Sequence, residues 1–225
     1  SSLAFQINRI LKSELISEVV VLTSSDPSDD LIFEECRSIG VFAFRGSLIN
    51  VHGRYFDYLK TISGYDYFMR ITADCPYICS DVLDELIRIA DTHKYDYISN
   101  VLLPSFVHGM DAEVLNIECF LNTKGVTLNS FQLEHVTPYF YENPNSFLLA
   151  NLASSENHSN VRFTLDTYED AEFLQDLATK NLHLNQDASY TEVLSILNNS
   201  NISPPLNKVR SVRSPGPWMQ HVFIY

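Results

Sequence analysis

Short runs of β-branched and aromatic residues alternate along this chain with stretches whose apolar residues return every third or fourth position. Leu3, Ile7, Ile10 and Leu11 fall on one side of a helix predicted over residues 3–12. Residues 18–24 form a continuous apolar run of the kind buried on both faces of a parallel sheet. A second helix is predicted over 29–39 with Gly40 as its stop, then a strand over 41–44 and a third helix over 51–62. The next strand is predicted at 67–73, followed by a helix at 81–93 and a strand at 95–99.

This repetition predicts an α/β fold with a parallel sheet and helices on both faces. Beyond Pro104 the rhythm loosens. Strands are predicted at 111–115, 147–152 and 161–165, a short helix at 134–141 and a longer one at 168–180. The main domain is expected over residues 1–200 and a C-terminal extension over 201–225. From Ser203 onward lie four of the nine prolines and the clustered basic residues Lys208, Arg210 and Arg213. That composition suits an extension or partner-binding arm. The pattern also begins in a helix where α/β domains ordinarily begin in a strand, so an opening strand and loop are expected upstream of Ser1.

The net charge of -13 sets duplex nucleic acid aside as a partner, because phosphate binding needs a basic face. No apolar run approaches the ~18 residues of a membrane span, and residues 1–9 lack a signal-peptide pattern, so a cytoplasmic location is expected. Cys36, Cys75, Cys79 and Cys119 sit in apolar segments and read as reduced thiols. No second Cys or His pair completes a zinc pattern with Cys75 and Cys79.

Candidate chemistry gathers where strands end, the edge at which open parallel sheets bind ligands. Asp74, in Arg-Ile-Thr-Ala-Asp-Cys-Pro, follows the strand predicted at 67–73. It suits a metal bound to phosphate oxygens better than a helix cap, since Ser80 stands closer to the following helix. Asp166 ends another predicted strand, and here capping and metal binding stand level: Thr167 can serve as the cap and leave Asp166 free. Two carboxylates at one edge suit Mg2+. Arg45, Arg54 and Arg70 offer positive charge to a phosphate chain, with Ser47 beside Arg45. Asp111 and Glu113 alternate on one side of a strand next to Gly109, whose lack of a side chain suggests a close backbone approach. Glu134 and His135 open a short helix, where they serve as caps or meet a partner, while Tyr139 and Tyr141 read as packing residues. Neither a GxGxxG nor a GxxxxGK[ST] loop is present.

Six segments occur together in order. They are 20–30 (Val-Val-Leu-Thr-Ser-Ser-Asp-Pro-Ser-Asp-Asp), 44–47 (Phe-Arg-Gly-Ser), 70–76, 109–114 (Gly-Met-Asp-Ala-Glu-Val), 134–139 (Glu-His-Val-Thr-Pro-Tyr) and 164–170 (Thr-Leu-Asp-Thr-Tyr-Glu-Asp). With them the chain, from about residue 1 to residue 197, resembles the cytidylyltransferases of surface-sugar biosynthesis, most closely the spore-coat polysaccharide group. The resemblance implies a three-layer αβα sandwich, Rossmann-like with a mostly parallel sheet, of the nucleotide-diphosphosugar transferase type. It implies CTP and a sugar as substrates, Mg2+ as cofactor and a homodimer. Asp74 and Asp166 match the metal-binding aspartates, and Arg70 joins them in the catalytic set. Arg45, Ser47, Arg54 and Ala73 fall near the nucleotide, and Asp111, Glu113 and His135 on the sugar side. Residues 134–139 match the region that meets a second subunit.

Three departures stand out. Ala73 replaces the family's glycine, and Tyr168 replaces its proline. The phosphate loop that grips the triphosphate would precede Ser1. The resemblance implies direct in-line attack on the α-phosphorus with pyrophosphate leaving. A glycosyltransferase of the same fold is disfavoured because Asp-Cys-Pro is not the Asp-x-Asp element such enzymes use. A non-catalytic relative is the remaining alternative.

Overall fold

A computed structural model describes residues 1–180, 188–199, 204–207, 210, 212–213, 219 and 221–225. Lys208 and Ser203, named above in the C-terminal arm, lie outside the described residues. The chain begins with α1 (Ser2–Ile10), capped by the Ser1 hydroxyl, which accepts from the Ala4 N–H at 3.2 Å. Then come β1 (Val20–Ser24), a 3-10 turn at Pro27–Asp29, α2 (Asp30–Ser38), β2 (Phe42–Gly46), α3 (Val51–Leu59) and β3 (Tyr67–Arg70). The next elements are α4 (Ser80–His93), β4 (Tyr97–Ser99), β5 (Glu113–Asn116), α5 (Ile117–Leu121), α6 (Ser130–His135) and α7 (Pro138–Glu142). Then β6 (Leu149–Ala153), α8 (Tyr168–Lys180), α9 (Tyr190–Asn199) and β7 (Val222–Ile224) complete the order. No helix among the described residues is long and apolar enough to cross a membrane.

The α/β class is as expected, but strand direction is mixed. β3, β5, β4, β6 and β7 form one sheet in that order, and β5 runs antiparallel to both β3 and β4. The pairs β4–β6 and β6–β7 are parallel. Alternation along the strands fills a core on each face. Ile98, Val114 and Ala150 pack with Val82, Leu86 and Leu177 on one side, while Tyr97, Leu115 and Leu149 pack with Leu59, Phe120 and Phe140 on the other. Helices therefore cover both faces, giving three layers.

β1 and β2 pair in parallel as a separate ladder, and among the described residues no backbone hydrogen bond joins β1 to β3. A cleft of about 450 Å³ lies between them, lined by Val20–Leu22 of β1, Tyr67–Arg70 of β3, Ile7 of α1 and Tyr55 of α3. These strand residues are only half-buried, although their composition is that of a central strand.

Several expected boundaries are corrected. The helix expected at 134–141 is two helices, broken at Val136, a buried β-branched residue with φ 72°. Residues 161–165 form bridges to the residue 108 and 206 segments and not a regular strand. Cys79, not Ser80, is the residue before α4, and it makes no side-chain cap. Within the expected C-terminal extension, β7 joins the sheet beside β6.

Candidate active site

β3 ends at Arg70, and the chain turns through Thr72–Cys75, where the Cys75 N–H donates to the Thr72 carbonyl at 3.4 Å. Half-buried Asp74 sits on this turn. The 161–166 segment is laced in beside it: the Leu165 N–H donates to the Asp74 carbonyl at 2.8 Å, and the Phe163 N–H to the His108 carbonyl at 2.7 Å. Exposed Asp166 is thus one residue beyond a direct backbone bond to Asp74. Gly109 permits this lacing, since at φ 108° an added Cβ would lie 2.9 Å from the Phe163 carbonyl carbon.

The competing roles of Asp166 separate here. Asp170 accepts from the Thr167 N–H at 2.9 Å, and the Thr167 hydroxyl accepts from the Asp170 N–H at 3.2 Å. That reciprocal pair caps α8. The Asp166 carboxylate caps nothing and accepts from the Thr164 hydroxyl at 2.6 Å. Asp74, Asp166 and Asp111 all act electrostatically on His108, whose pKa is lowered by burial, and by the Arg210 charge, against their pull. The two carboxylates on these joined segments are oxygen donors of the kind that suit Mg2+ shared with phosphate oxygens. Among the described residues no group of three or more His, Cys, Asp or Glu is gathered to hold a metal by itself.

Beside this edge opens a cavity of about 760 Å³, lined among others by Arg70, Thr72, Asp111, Glu113, His135 and Arg213. The whole sugar-side set expected from the sequence meets there. Glu113 forms its floor: Oε2 accepts from Arg70 Nη1 at 2.6 Å, and Oε1 from the Tyr97 and Thr137 hydroxyls, both at 2.7 Å. Burial works against its charge, but Arg70, then Arg213, then the two hydroxyls hold its pKa below the ordinary glutamate value. Asp111 is occupied too, by Arg210 from the C-terminal arm. His135 is exposed and packs on Phe131, with ring centroids 4.4 Å apart.

The expected phosphate-binding residues are placed differently. Arg45 donates to the Ser24 carbonyl at 2.7 Å and pairs with Asp30 at 2.7 Å. Buried Arg54 donates to the Leu22 carbonyl at 2.9 Å and the Ser47 carbonyl at 3.1 Å. Both stitch the β1–β2 unit together. The Ser47 hydroxyl accepts from the Asn50 N–H at 3.0 Å, ahead of α3. Ala73 is exposed on the turn before Asp74 and lines the β1–β3 cleft. Thr137 and Arg213, which line the cavity, and Arg210, which clasps Asp111, are not among the site residues expected from the sequence. The basic clustering in the arm was the one signal that could have found the two arginines.

The family model for cytidylyltransferases matches residues 3–195. The chain belongs to the cytidylyltransferase family. It is 28% identical over 185 residues to the spore coat polysaccharide biosynthesis protein SpsF of Bacillus subtilis, covering 80% of this chain and 74% of that one. An uncharacterized protein of Methanocaldococcus jannaschii is 33% identical over 168 residues, 73% of this chain and 67% of that one. Among solved structures, a cytidylyltransferase from Leptospira borgpetersenii superposes with TM-score 0.81 at 28% identity, covering 90% of this chain and 88% of that one. A CMP:2-keto-3-deoxy-manno-octonic acid synthetase complexed with CTP has TM-score 0.56 at 12% identity, covering 81% and 88%, and so shares the fold. The fold and family implied by the six motifs are those found, and the chain is a nucleotidyltransferase of the CTP-using kind.

Proposed function

We propose that this cytidylyltransferase binds CTP with Mg2+ between Asp74 and Asp166 and passes CMP to a sugar, acidic or otherwise modified, in the cavity above Glu113. The observation that supports the reading is the Leu165–Asp74 backbone bond, which joins the segment carrying Asp166 to the turn carrying Asp74, and Thr72 of that same turn lines the cavity. Bound there, Mg2+ would neutralise phosphate charge as pyrophosphate leaves. A sugar oxygen attacks the α-phosphorus in line, the new P–O bond forming as the bond to pyrophosphate breaks. Asp74 and Asp166 hold the phosphate end, while Arg70 and Glu113, locked together, give the acceptor a rigid wall. Asp111 and His135 lie at the same wall.

Two further elements belong to the reading. One additional strand, leading into α1, fills the cleft between β1 and β3 and carries a phosphate-binding loop to the Asp74 edge. It supplies the charge that Arg45 and Arg54, engaged with carbonyls, do not. A homodimer, working in the cytoplasm, forms through α6 and the turn into α7, where Phe131 is 49% exposed.

The test is calorimetric titration of the protein with CTP, UTP and ATP in Mg2+, beside Asp74→Ala and Asp166→Ala. The reading expects Mg2+-dependent preference for CTP that both substitutions remove. Mg2+-independent binding, or preference for UTP, would overturn it.

A further inference from the structure

The arginines around the site divide by whether an acceptor meets them. Arg45 and Arg54 hold backbone carbonyls, Arg70 holds Glu113, Arg162 holds Asp170 and Arg210 holds Asp111. Arg213 differs. Its backbone N–H donates to the Leu102 carbonyl at 2.9 Å, which fixes the arm along the cavity wall. Its guanidinium carbon lies 5.8 Å from the centroid of the Tyr141 ring. Among the described residues, no carboxylate forms an ion pair with that guanidinium and no acceptor takes a hydrogen bond from it.

The carboxylates close enough to serve are already engaged. Glu113 has Arg70, Tyr97 and Thr137, Asp111 has Arg210, and Glu142 accepts from Gln132 at 2.7 Å. Arg213 is half-buried, so water replaces the missing acceptor only in part. With Tyr141 against the guanidinium, its in-plane N–H fork is what remains for a ligand, and that fork matches a planar carboxylate. Arg210, three residues earlier and clamped on Asp111, sets the arm's position.

We propose that Arg213 is a specificity-determining residue that takes the carboxylate of an acidic acceptor sugar, with the Arg210–Asp111 clasp as its positioning pair. This rests on the acceptor lying in the cavity above Glu113. It gives the C-terminal arm a role in choosing the acceptor.

Ligand-observed NMR titrations of D-glucuronate, D-glucose and D-glucose 6-phosphate against wild type, Arg213→Lys and Arg213→Ala test it, with CTP calorimetry run on the same three proteins. The expected result is that glucuronate binds wild type more tightly than glucose, by roughly 10- to 100-fold, the worth of a charge-assisted hydrogen-bond pair. That ratio falls towards one in Arg213→Ala and is partly kept in Arg213→Lys, while CTP affinity stays the same. No preference for glucuronate in wild type, an unchanged ratio in Arg213→Ala, or tighter binding of glucose 6-phosphate overturns the proposal. Lost CTP affinity in Arg213→Ala alone does so as well, since it moves the residue to the nucleotide. If wild type binds no CTP yet keeps the glucuronate preference, the cytidylyl reading fails and the carboxylate site stands.

Discussion

Arg210 closes on Asp111 through two parallel hydrogen bonds, Nη1 to Oδ1 at 2.9 Å and Nη2 to Oδ2 at 2.6 Å, joining positions 99 residues apart. Their side chains are 15% and 21% exposed, so the pair is shielded without being fully desolvated. A bidentate pair in that setting should couple by about 1–2 kcal/mol, above the usual surface ion pair. A double-mutant cycle with Arg210→Ala and Asp111→Ala, read by urea denaturation, measures it. Coupling indistinguishable from zero would show that the clasp does not hold the arm.

Glu113 is the most heavily committed carboxylate of the site, and its loss leaves the half-buried Arg70 without a counter-charge. Glu113→Ala should cost about 3–5 kcal/mol of stability, the range for breaking a buried pair from one side. Its folded pKa lies below the ordinary value of 4.5, so the folded state binds fewer protons than the unfolded state on the acid side. The stability it contributes is therefore complete above pH 4.5 and declines as pH falls through the folded value. Asp26, Asp29 and Asp170 have lowered values and share this acid limb. Thermal melts of wild type and Glu113→Gln between neutral pH and pH 3 should show a shallower acid limb in the variant; parallel curves would contradict the assignment.

How much of this was legible in the sequence depends on which force decides each feature. The helix at 168–180 was readable to the residue because its periodicity and its Thr167–Asp170 cap agree. Strand direction was not, since Val114-Leu115 packs alternately on two faces whichever way the chain runs. β7, three residues in a proline-rich arm, is too short to show a period. Asp74 and Asp166 stand out in the sequence as carboxylates after apolar runs, although β3 stops at Arg70 and residues 161–165 are held by isolated bridges. The tethering of Arg45 and Arg54 was not, because a long flexible side chain reaches whichever carbonyl tertiary packing presents. Val136 hides the break between α6 and α7, for nothing local favours its positive φ.

His52 offers a second pH window. It lies on α3, its ring 4.6 Å from that of Phe120 and Nε2 3.3 Å from the Thr123 hydroxyl, and burial lowers its pKa from 6.5 to about 4. Between those values the unfolded ring carries a proton that the folded ring refuses. Its contribution is therefore full above pH 6.5 and is lost as pH falls towards 4. The loss should amount to about 1–3 kcal/mol. Chemical denaturation of wild type and His52→Gln at steps across this window should give a slope in the former that flattens in the latter.

Gly109 holds the Asp74–Asp166 edge together from the neighbouring segment. A Cβ placed there would meet backbone, 2.9 Å from the Phe163 carbonyl carbon and 3.0 Å from its oxygen, and φ is 108°. Gly109→Ala should thus push the 161–166 segment away from Asp74, costing about 1–3 kcal/mol in backbone strain. Mg2+-dependent CTP binding should weaken with it. Circular dichroism melts paired with CTP calorimetry check both, and an alanine variant with wild-type affinity would show that the Asp74–Asp166 geometry is not set by this contact.

The cleft between β1 and β3 carries the last prediction. Two strand edges face it unpaired among the described residues, and Val20, Val21, Leu22, Phe68 and Met69 stay half-buried around it. α1 already lies where a crossover helix belongs, ahead of the parallel β1–α2–β2 unit, and right-handed crossover places a strand leading into α1 beside β1. A Val- and Ile-rich segment of about six residues, joined to Ser1 through a flexible Gly/Ser linker of roughly ten residues, should pair there and bury the exposed apolar surface. The melting midpoint should rise by about 5 °C or more, and the same fusion with a central Pro, which removes ladder hydrogen bonds, should gain little. Equal gains from both fusions, or none from either, would mean that the cleft does not receive a strand.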